Sequence, residues 1–149
     1  MNRTVFGLAI GLGLTLAAPA AGFPADDKPA PKESPKMFKA VVHVNFADAE
    51  RQKHGLKNVA NMLKEVNGAA EIEVVCHGGG IGLLVKDKSE HADEVARLVK
   101  EGVRFAACEN TLRDKGIPKE GLLPGVMTVP SGAVEVLRKQ QDGYGYFKP

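Results

Sequence analysis

Short apolar runs alternate along the chain with longer segments in which apolar residues recur at helical spacing. The short runs are rich in β-branched and aromatic residues, and they predict strands over residues 38–45, 71–77, 103–108, 126–129 and 144–148. The helical spacing predicts helices after Asp48, from Ser89, over residues 109–115 and from Ser131 to about residue 141. Strands that alternate with helices form βαβ units. This order therefore predicts an α/β fold, a three-layer sandwich around a mainly parallel sheet.

Two of the predicted helices show which side should face the sheet. In the first, the apolar stripe consists of Leu56, Val59, Ala60, Leu63 and Val66. In the second, it consists of Ala92, Val95, Ala96 and Val99. Asn67 with Gly68, and Gly102, are expected to end these helices, because Gly and Asn adopt the left-handed conformation that follows a helix C-terminus. Asp48 and Ser131 are the expected N-caps.

The first 22 residues have the organisation of a signal peptide. Arg3 supplies a basic start, and residues 5–18 form an uncharged, mostly apolar run. Small residues at positions 18–22 fit a cleavage site near residues 20–22. The run is shorter than the roughly 20 apolar residues that a membrane span needs, and an uncleaved N-terminal anchor is the alternative. We therefore expect a periplasmic or secreted protein that has no membrane contact after the signal is removed.

A Pro-rich linker and one domain are predicted to follow the signal peptide. Residues 23–36 contain four prolines, several charges and few apolar residues, a composition typical of a flexible linker. Residues 37–149 are long enough for one domain with its own core and too short for two. Without Arg3, the 20 Lys and Arg of the chain become 19, against 18 Asp and Glu. This near-neutral balance argues against a nucleic-acid-binding surface.

Cys108 is the strongest candidate for chemistry. It ends the third predicted strand, and ligands and reactive groups of parallel sheets gather at the carboxyl ends of strands. A thiol at the start of a helix faces unpaired backbone N–H groups, which favour the thiolate and lower its pKa. Asn110 and Thr111 are candidate caps of that helix, and Arg113 adds positive charge, whereas Glu109 opposes the shift. The alternative is that Cys108 is a small buried apolar side chain.

The second cysteine, Cys76, ends the second predicted strand next to His77. Successive strand residues point to opposite faces of a sheet, so a direct contact between these two side chains is not expected. A packed thiol is one interpretation of Cys76. A disulfide with Cys108 is another, because an exported protein meets oxidising conditions. The bridge requires adjacent strands with Cα atoms roughly 4.4–6.8 Å apart, and no C-x-x-C redox motif is present.

A glycine-rich stretch that includes Gly78, Gly79 and Gly80 follows His77. It lacks the spacing of dinucleotide-binding and P-loop motifs, so no nucleotide cofactor is expected. Its backbone N–H groups are a candidate binding site for a small anion, with a plain strand-to-helix turn as the alternative. His77 is the best-placed histidine, whereas His43 is expected to be a satisfied core residue. One histidine and two thiols fall short of a zinc ligand set, so no metal is expected.

Three segments together are similar to one protein family. Residues 103–117 combine a strand, Cys108, a short helix and a basic residue followed by glycine and an aliphatic residue. This order resembles the sulfur-carrier segment of the DsrE/DsrF-like (TusD-like) family. Residues 71–80 resemble the family's second strand and glycine turn, and residues 123–146 resemble the tail of an exported branch. The resemblance implies a parallel five-stranded α/β/α sandwich and homo- or hetero-oligomers, with strands two and three side by side, which leaves the disulfide open.

The resemblance also implies a function. Better understood members carry sulfur on a cysteine, as a persulfide, between partner proteins, and Cys108 lies at the matching position. We therefore expect a periplasmic sulfur-handling protein, a carrier or transferase at most, without a cofactor. In it, Asn110 and Thr111 would orient the helix amides, and the N–H groups of residues 78–80 would bind the anionic sulfur. The expected partners are a sulfur donor or acceptor protein and further copies of the chain.

The alternative function is a non-enzymatic oligomeric module that binds a small ligand or a partner protein. Its cysteines would be packed or bridged rather than reactive. Tyr144, Tyr146 and Phe147 would then lie at a subunit interface. An ordinary edge strand is the other interpretation of these aromatic residues.

Overall fold

The computed structural model describes residues 37–149. The predicted signal peptide, residues 1–22, and the predicted linker, residues 23–36, lie outside the described residues, and both stay predictions. Between residues 37 and 149, no helix is long and apolar enough to cross a membrane.

Five parallel strands form a single sheet in the order β4-β3-β2-β1-β5. The strands are β1 (Phe38–Val44), β2 (Ala70–Cys76), β3 (Arg104–Cys108), β4 (Val126–Val129) and β5 (Gly145–Phe147). The α-helices are α1 (Ala49–Glu65), α2 (Ala92–Lys100), α3 (Glu109–Asp114) and α4 (Gly132–Gln141), and two 3₁₀ helices cover Gly78–Leu84 and Lys119–Gly121. The predicted α/β sandwich around a five-stranded parallel sheet is confirmed.

The direction of the connections explains how the helices are divided between the two faces. From β1 to β4 the chain steps across the sheet in one direction, and α1, α2 and α3 pack on one face. The last connection runs back from β4 to β5 through α4. Because crossovers between parallel strands are right-handed, this reversal places α4 on the opposite face. We call this side of the sheet, to which Val41, Val75, Ala106 and Val129 point, the α4 face.

Alternation along the strands builds a separate apolar core on each face. The larger core joins α1, α2 and α3 to strand residues such as Val42, Val74 and Phe105, all buried. The smaller core lies on the α4 face and is closed by Val136 of α4. Both cores follow from strands that are buried on their two sides, as is usual in parallel sheets.

The first predicted helix is confirmed in its cap and in the centre of its stripe. The Asp48 side chain accepts a hydrogen bond from the Arg51 N–H at 2.7 Å, as an N-cap does. Leu56, Val59 and Leu63 are buried against the sheet. The stripe is therefore the side of α1 that packs, as its spacing predicts.

α2 differs from the prediction in its start and in its packed side. The helix begins three residues after Ser89, with His91 at the N-cap. Ser89 forms a turn instead, and its hydroxyl accepts a hydrogen bond from the His91 N–H at 3.3 Å. Val95 and Leu98 are buried, whereas Ala96 is exposed, so the predicted stripe was wrong at Ala96. Leu98 lies three residues after Val95 and therefore shares its side of the helix.

A buried charge cluster lies at the amino end of the strands on the α4 face, where the apolar pattern did not indicate one. The Glu73 side chain on β2 is fully buried and lies 3.1 Å from Arg104 Nε and 3.0 Å from Lys139 Nζ. Lys139 Nζ also lies 3.6 Å from a carboxylate oxygen of Glu135 on α4. Buried charges are tolerated when they are paired, so this cluster attaches the last turns of α4 to the sheet.

The glycine-rich stretch is more than a turn, because it forms the 3₁₀ helix Gly78–Leu84 and packs closely on β1. A Cβ atom at Gly80 would lie 2.2 Å from the Val44 carbonyl oxygen, well inside contact distance. Glycine is therefore required where this helix crosses the carboxyl end of β1. The strand-to-helix turn that we allowed for is present at Gly78, whose φ of +53° lies in the left-handed region, and the close packing of Gly80 adds to it.

We predict that Gly80→Ala destabilises the protein by about 1–3 kcal/mol or more, because its methyl group would overlap backbone atoms that cannot move independently. Urea unfolding measures the loss. Gly82→Ala is the matched control, since no heavy atom lies within 4 Å of a Cβ atom there. Equal stability of the two variants would contradict the close approach of Gly80 to β1.

Candidate functional site

The candidate site lies at the carboxyl ends of β2 and β3, on the α4 face. Cys76 pairs with Ala107 in the parallel register, and both point to the larger core. The next residues, His77 and Cys108, therefore turn to the α4 face. The first residue of α4, Gly132, packs against both: a Cβ atom there would lie 3.1 Å from the His77 Cβ and 3.2 Å from the Cys108 Cβ. His77 and Cys108 thus lie side by side beneath the start of α4.

Two helix N-termini converge on the thiol of Cys108, a residue that is 4% exposed. Cys108 is the N-cap residue of α3, and Gly132 opens α4. Burial raises the pKa of Cys108, but hydrogen bonding to the sulfur from the backbone N–H groups of Gly132 and Thr111 lowers it. The Thr111 hydroxyl and the Asn110 N–H add to this effect, and the net pKa lies below the ordinary value of a thiol. The arrangement favours the thiolate, as the strand–cysteine–helix order predicts.

Thr111 connects the glycine-rich stretch to the cysteine. Its hydroxyl accepts a hydrogen bond from the Gly78 N–H at 3.0 Å, and the side chain is buried. A hydroxyl that accepts one hydrogen bond still has its own proton to donate, and that proton can be directed to the Cys108 thiolate. Thr111 therefore contributes to the site through its side chain as well as its backbone.

The capping role that we predicted for Asn110 and Thr111 was wrong. Cys108 itself occupies the N-cap position, and the two residues follow it in the first turn of α3. The Asn110 side chain is exposed and accepts a hydrogen bond from the guanidinium of Arg113. Asn110 thus contributes its backbone N–H to the site, and Arg113 is engaged with Asn110.

Two of the three glycine N–H groups of the predicted anion site have partners within the chain. The Gly78 N–H donates to Thr111, and the Gly80 N–H donates to the His77 carbonyl at 2.9 Å. Gly79 lies against the backbone of Ala47, where a Cβ atom would be 3.1 Å from the Ala47 nitrogen. The stretch therefore holds His77 and Thr111 in place and acts on the sulfur through Thr111.

Cys76 and Cys108 are both free thiols, and the structure does not bring them together. Their strands are adjacent, as the resemblance implies, but Cys76 points to the larger core and Cys108 to the α4 face. The disulfide that we allowed for is not formed. Burial raises the pKa of Cys76 far above the usual range of a thiol, so this residue is a packed side chain.

The negative charge of Glu109, next to Cys108, is engaged by other groups. Its carboxylate lies 2.5 Å from Lys119 Nζ and accepts a hydrogen bond from the Thr128 hydroxyl at 2.7 Å. The hydrogen bonds from Lys119 and Thr128 hold the pKa of Glu109 below its ordinary value. The paired charge opposes the Cys108 thiolate less than a free carboxylate would. Within residues 37–149, no group of three or more metal-ligating side chains is placed to hold a metal ion.

A chain of hydrogen-bonding side chains adjoins the site and was missed by the sequence pattern. His43 Nε2 lies 2.6 Å from His77 Nε2, and His43 Nδ1 lies 2.9 Å from the Tyr146 hydroxyl oxygen. The two imidazole rings are stacked, with centroids 4.8 Å apart. Burial, and then the charge of His77 and of Lys148, lower the pKa of His43. Burial and the charge of Lys148 lower that of His77. His43 is satisfied, as predicted, but by side chains of the site and in a half-buried position.

One signal in the sequence points to this pair. His43 and His77 both lie at the carboxyl ends of predicted strands, where parallel sheets collect functional groups. Whether they share a face depends on the register of β1 and β2, in which His43 pairs with Val75. Sequence pattern alone does not specify that register.

Three comparisons relate the chain to known proteins. The DsrE/DsrF-like family matches residues 26–149. MTH1491 from Methanobacterium thermoautotrophicum, a protein of unknown function, is 37% identical; the similarity covers 75% of this chain and 99% of that one, with a TM-score of 0.72. The ychN protein from E. coli is 17% identical over 76% of this chain and 100% of its own, with a TM-score of 0.65, and supports the fold alone. No curated protein matches the chain.

We predict that Thr111→Val moves the alkylation of Cys108 to higher pH, because the thiolate loses the hydroxyl that lowers its pKa. The rate of reaction with iodoacetamide at pH 7 should fall about tenfold, the size expected for one hydrogen bond to a charged group. Thr111→Ser keeps the hydroxyl and is the matched control. An unchanged pH profile in Thr111→Val would show that the hydroxyl does not act on the sulfur.

Proposed function

The chain belongs to the DsrE/DsrF-like family, and we propose that within it the chain handles sulfur through Cys108, which carries sulfane sulfur as a persulfide. Membership indicates a function related to sulfur relay, in which family members work with partner proteins and often form oligomers. The observation that supports the assignment to Cys108 is the pair of helix N-termini directed at its sulfur. A stabilised thiolate is the form of cysteine that attacks a sulfur–sulfur bond.

The transfer is balanced without an oxidant or a reductant. The Cys108 thiolate attacks the sulfane sulfur of a donor persulfide and forms a new S–S bond, while the donor's S–S bond breaks. The electron pair of the broken bond leaves with the donor thiolate, which takes up a proton. An acceptor thiolate then attacks the outer sulfur of the Cys108 persulfide and releases Cys108, by the same exchange chemistry as disulfides.

The geometry also suits the persulfide product. Its outer sulfur lies one S–S bond, about 2 Å, beyond Sγ, where a partner's thiol reaches it more easily than the thiol of Cys108, a residue that is 4% exposed. A persulfide is anionic at neutral pH, so the N–H group of Gly132 and the Thr111 hydroxyl would stabilise it as they do the thiolate. Small anionic sulfur compounds are therefore suitable donors, and a protein thiol is a suitable acceptor.

A non-enzymatic oligomeric module is the second candidate, and exposed apolar side chains on α4 favour it. Leu137 is 61% exposed and Val134 is 49% exposed. Of the aromatic residues that we considered for an interface, Tyr144 and Tyr146 have hydrogen-bond partners within the chain. The Tyr144 hydroxyl donates to Glu71 at 2.5 Å, and Tyr146 contacts His43. Sulfur uptake separates the two candidates, because a module with packed cysteines takes up none.

The proposed location is the periplasm or the cell exterior, and the support for it is the sequence of residues 1–22. In an oxidising compartment a reactive thiol must be protected, bridged or used. Cys76 is protected by burial, and Cys108 is partly protected by its low exposure.

We predict that reduced protein treated with inorganic polysulfide gains the mass of one sulfur atom per chain, because the Cys108 thiolate is stabilised by hydrogen bonds. Intact mass spectrometry detects the adduct, and reduction should remove it. Cys108→Ala should abolish it, while Cys76→Ala, the matched control at the buried thiol, should retain it. An adduct that survives Cys108→Ala, or no adduct at all, would overturn the carrier function.

We predict that the form of the protein isolated from the periplasm or the medium begins near residue 21–23, because the signal peptide is cleaved there. N-terminal sequencing and intact mass of the fractionated protein measure this. Replacing Leu14 in the apolar run by Arg should keep the protein inside the cell with residue 1 present or with only the initiator methionine removed. Recovery of the native chain solely from the cytoplasm would contradict export.

A further inference from the structure

The hydrogen-bonded series Tyr146–His43–His77 adjoins Cys108, and none of the steps of sulfur transfer given above uses it. Its three side chains come from three parts of the sheet: β5, β1 and the residue that follows β2. All lie at the carboxyl edge on the α4 face, and two hydrogen bonds of 2.9 and 2.6 Å join them. Half-buried imidazoles in direct contact are uncommon as packing elements, because each ring gives up contact with water.

We propose that His77 exchanges a proton with Cys108 during sulfur transfer, and that His43 and Tyr146 connect His77 to solvent. The proposal rests on the proposed function of Cys108 and adds the group that handles its proton. His77 would act on the thiol, whereas His43 and Tyr146 would be positioning residues that set the protonation of His77.

The first support is the placement of His77 beside Cys108. In the register of β2 and β3, Cys76 pairs with Ala107. The residues that follow them, His77 and Cys108, therefore lie side by side. Both pack on Gly132, where a Cβ atom would lie 3.3 Å from His77 Cδ2 and 3.2 Å from the Cys108 Cβ.

The second support is the pattern of donors and acceptors in the chain. A neutral imidazole has one N–H and one bare nitrogen, so the 2.6 Å contact requires one Nε2 to donate and the other to accept. When His77 Nε2 donates, His77 Nδ1 is a base, and His43 Nδ1–H donates to the Tyr146 oxygen. When Tyr146 donates to His43 Nδ1, His43 Nε2 donates to His77, and His77 Nδ1 carries a proton. Protons that shift along the chain therefore convert His77 between a base and an acid.

This interconversion matches what the transfer needs. Cys108 must lose its thiol proton to attack the donor, and the departing donor thiolate must gain one. His77 Nδ1 can accept the first proton and deliver it to the leaving thiolate, so that no net proton is taken up. Thiol proton transfer to a neighbouring histidine is the usual way in which proteins activate cysteine.

The charged and titratable groups around the pair favour a neutral starting state. Burial lowers the pKa of each imidazole below its ordinary value, and so does the positive charge of Lys148, which follows β5. The charge of His77 adds to the effect on His43. Cys108 of β3 lies beside His77, and Gly132 at the start of α4 packs against both residues. Tyr146 closes the chain on the solvent side and is 45% exposed. A neutral pair can accept the thiol proton, and acidification removes that capacity.

The test measures the rate at which the full chain takes up sulfur from inorganic polysulfide between pH 5 and 9. We expect His77→Gln to load about a hundredfold more slowly at pH 7, the lower range of general acid–base catalysis, and to reach the same final mass. The loading rate of the native chain should show two inflections with pH, one from the imidazole pair and one from the thiol, whereas that of His77→Gln should follow the thiolate fraction with one. Tyr146→Phe should slow loading by a few-fold and keep both inflections, because His43 and His77 are still present.

His54→Gln is the matched control, since His54 is an exposed histidine on α1. Thermal melting shows whether each variant is folded. If His77→Gln does not fold, Tyr146→Phe, which changes an exposed residue, still tests whether the hydrogen-bonded side chains act on sulfur loading. Loading of His77→Gln at the native rate with the native pH profile would overturn the proton exchange while leaving the carrier function intact.

A separate readout covers failure of the carrier function itself. If the native chain takes up no sulfur, the pH dependence of Cys108 alkylation still reports the coupling. A thiol that exchanges its proton with His77 shows two inflections in that profile, and His77→Gln should show one. A single inflection in the native chain, at the same pH as in His77→Gln, would overturn the role of His77.

Discussion

The residue-to-residue register of β2 and β3 is the constraint on which the site depends. Successive side chains of a strand point to opposite faces, so the pairing of Cys76 with Ala107 sends both into the larger core. The same pairing turns His77 and Cys108 together to the α4 face. A slip of β3 by one residue along β2 would turn Cys108 into the larger core, away from His77 and from the start of α4.

The handedness of the crossovers determines where α4 lies and therefore brings its N-terminus to Cys108. The strand order β4-β3-β2-β1-β5 requires the last connection to reverse, and a right-handed reversal can only place α4 on the face that the other helices leave open. α4 runs against the strands, so its N-terminus arrives at their carboxyl ends. Gly132 is small enough to bring its N–H close to Cys108, and α3 directs its own first N–H groups to the same sulfur. The thiolate is therefore stabilised from the two helical layers at once.

The features that were predicted correctly depend on short stretches of chain. The start of a helix directly after Cys108 is visible within a few residues, and so is its effect on the thiol. The errors concern residues that act at a distance. The N–H groups of residues 78 and 80 have partners of their own, and Thr111 serves the site because Gly78, 33 residues earlier, binds its hydroxyl. Ala96 was misplaced for a related reason, since the rotation of α2 is set by packing on the sheet.

The sequence by itself determined the order of strands and helices, the α/β class and the position of Cys108 at the end of a strand. These features follow from the spacing of apolar residues and from the residues that start and end helices, and both patterns extend over only one or two turns. Only the tertiary structure decided which face each cysteine takes and that His43, His77 and Tyr146 form one chain of hydrogen bonds. The partners of that chain are 34 and 103 residues apart, and their contact depends on strand order and register. Both are set by the packing of whole elements, and no local pattern of residues encodes them.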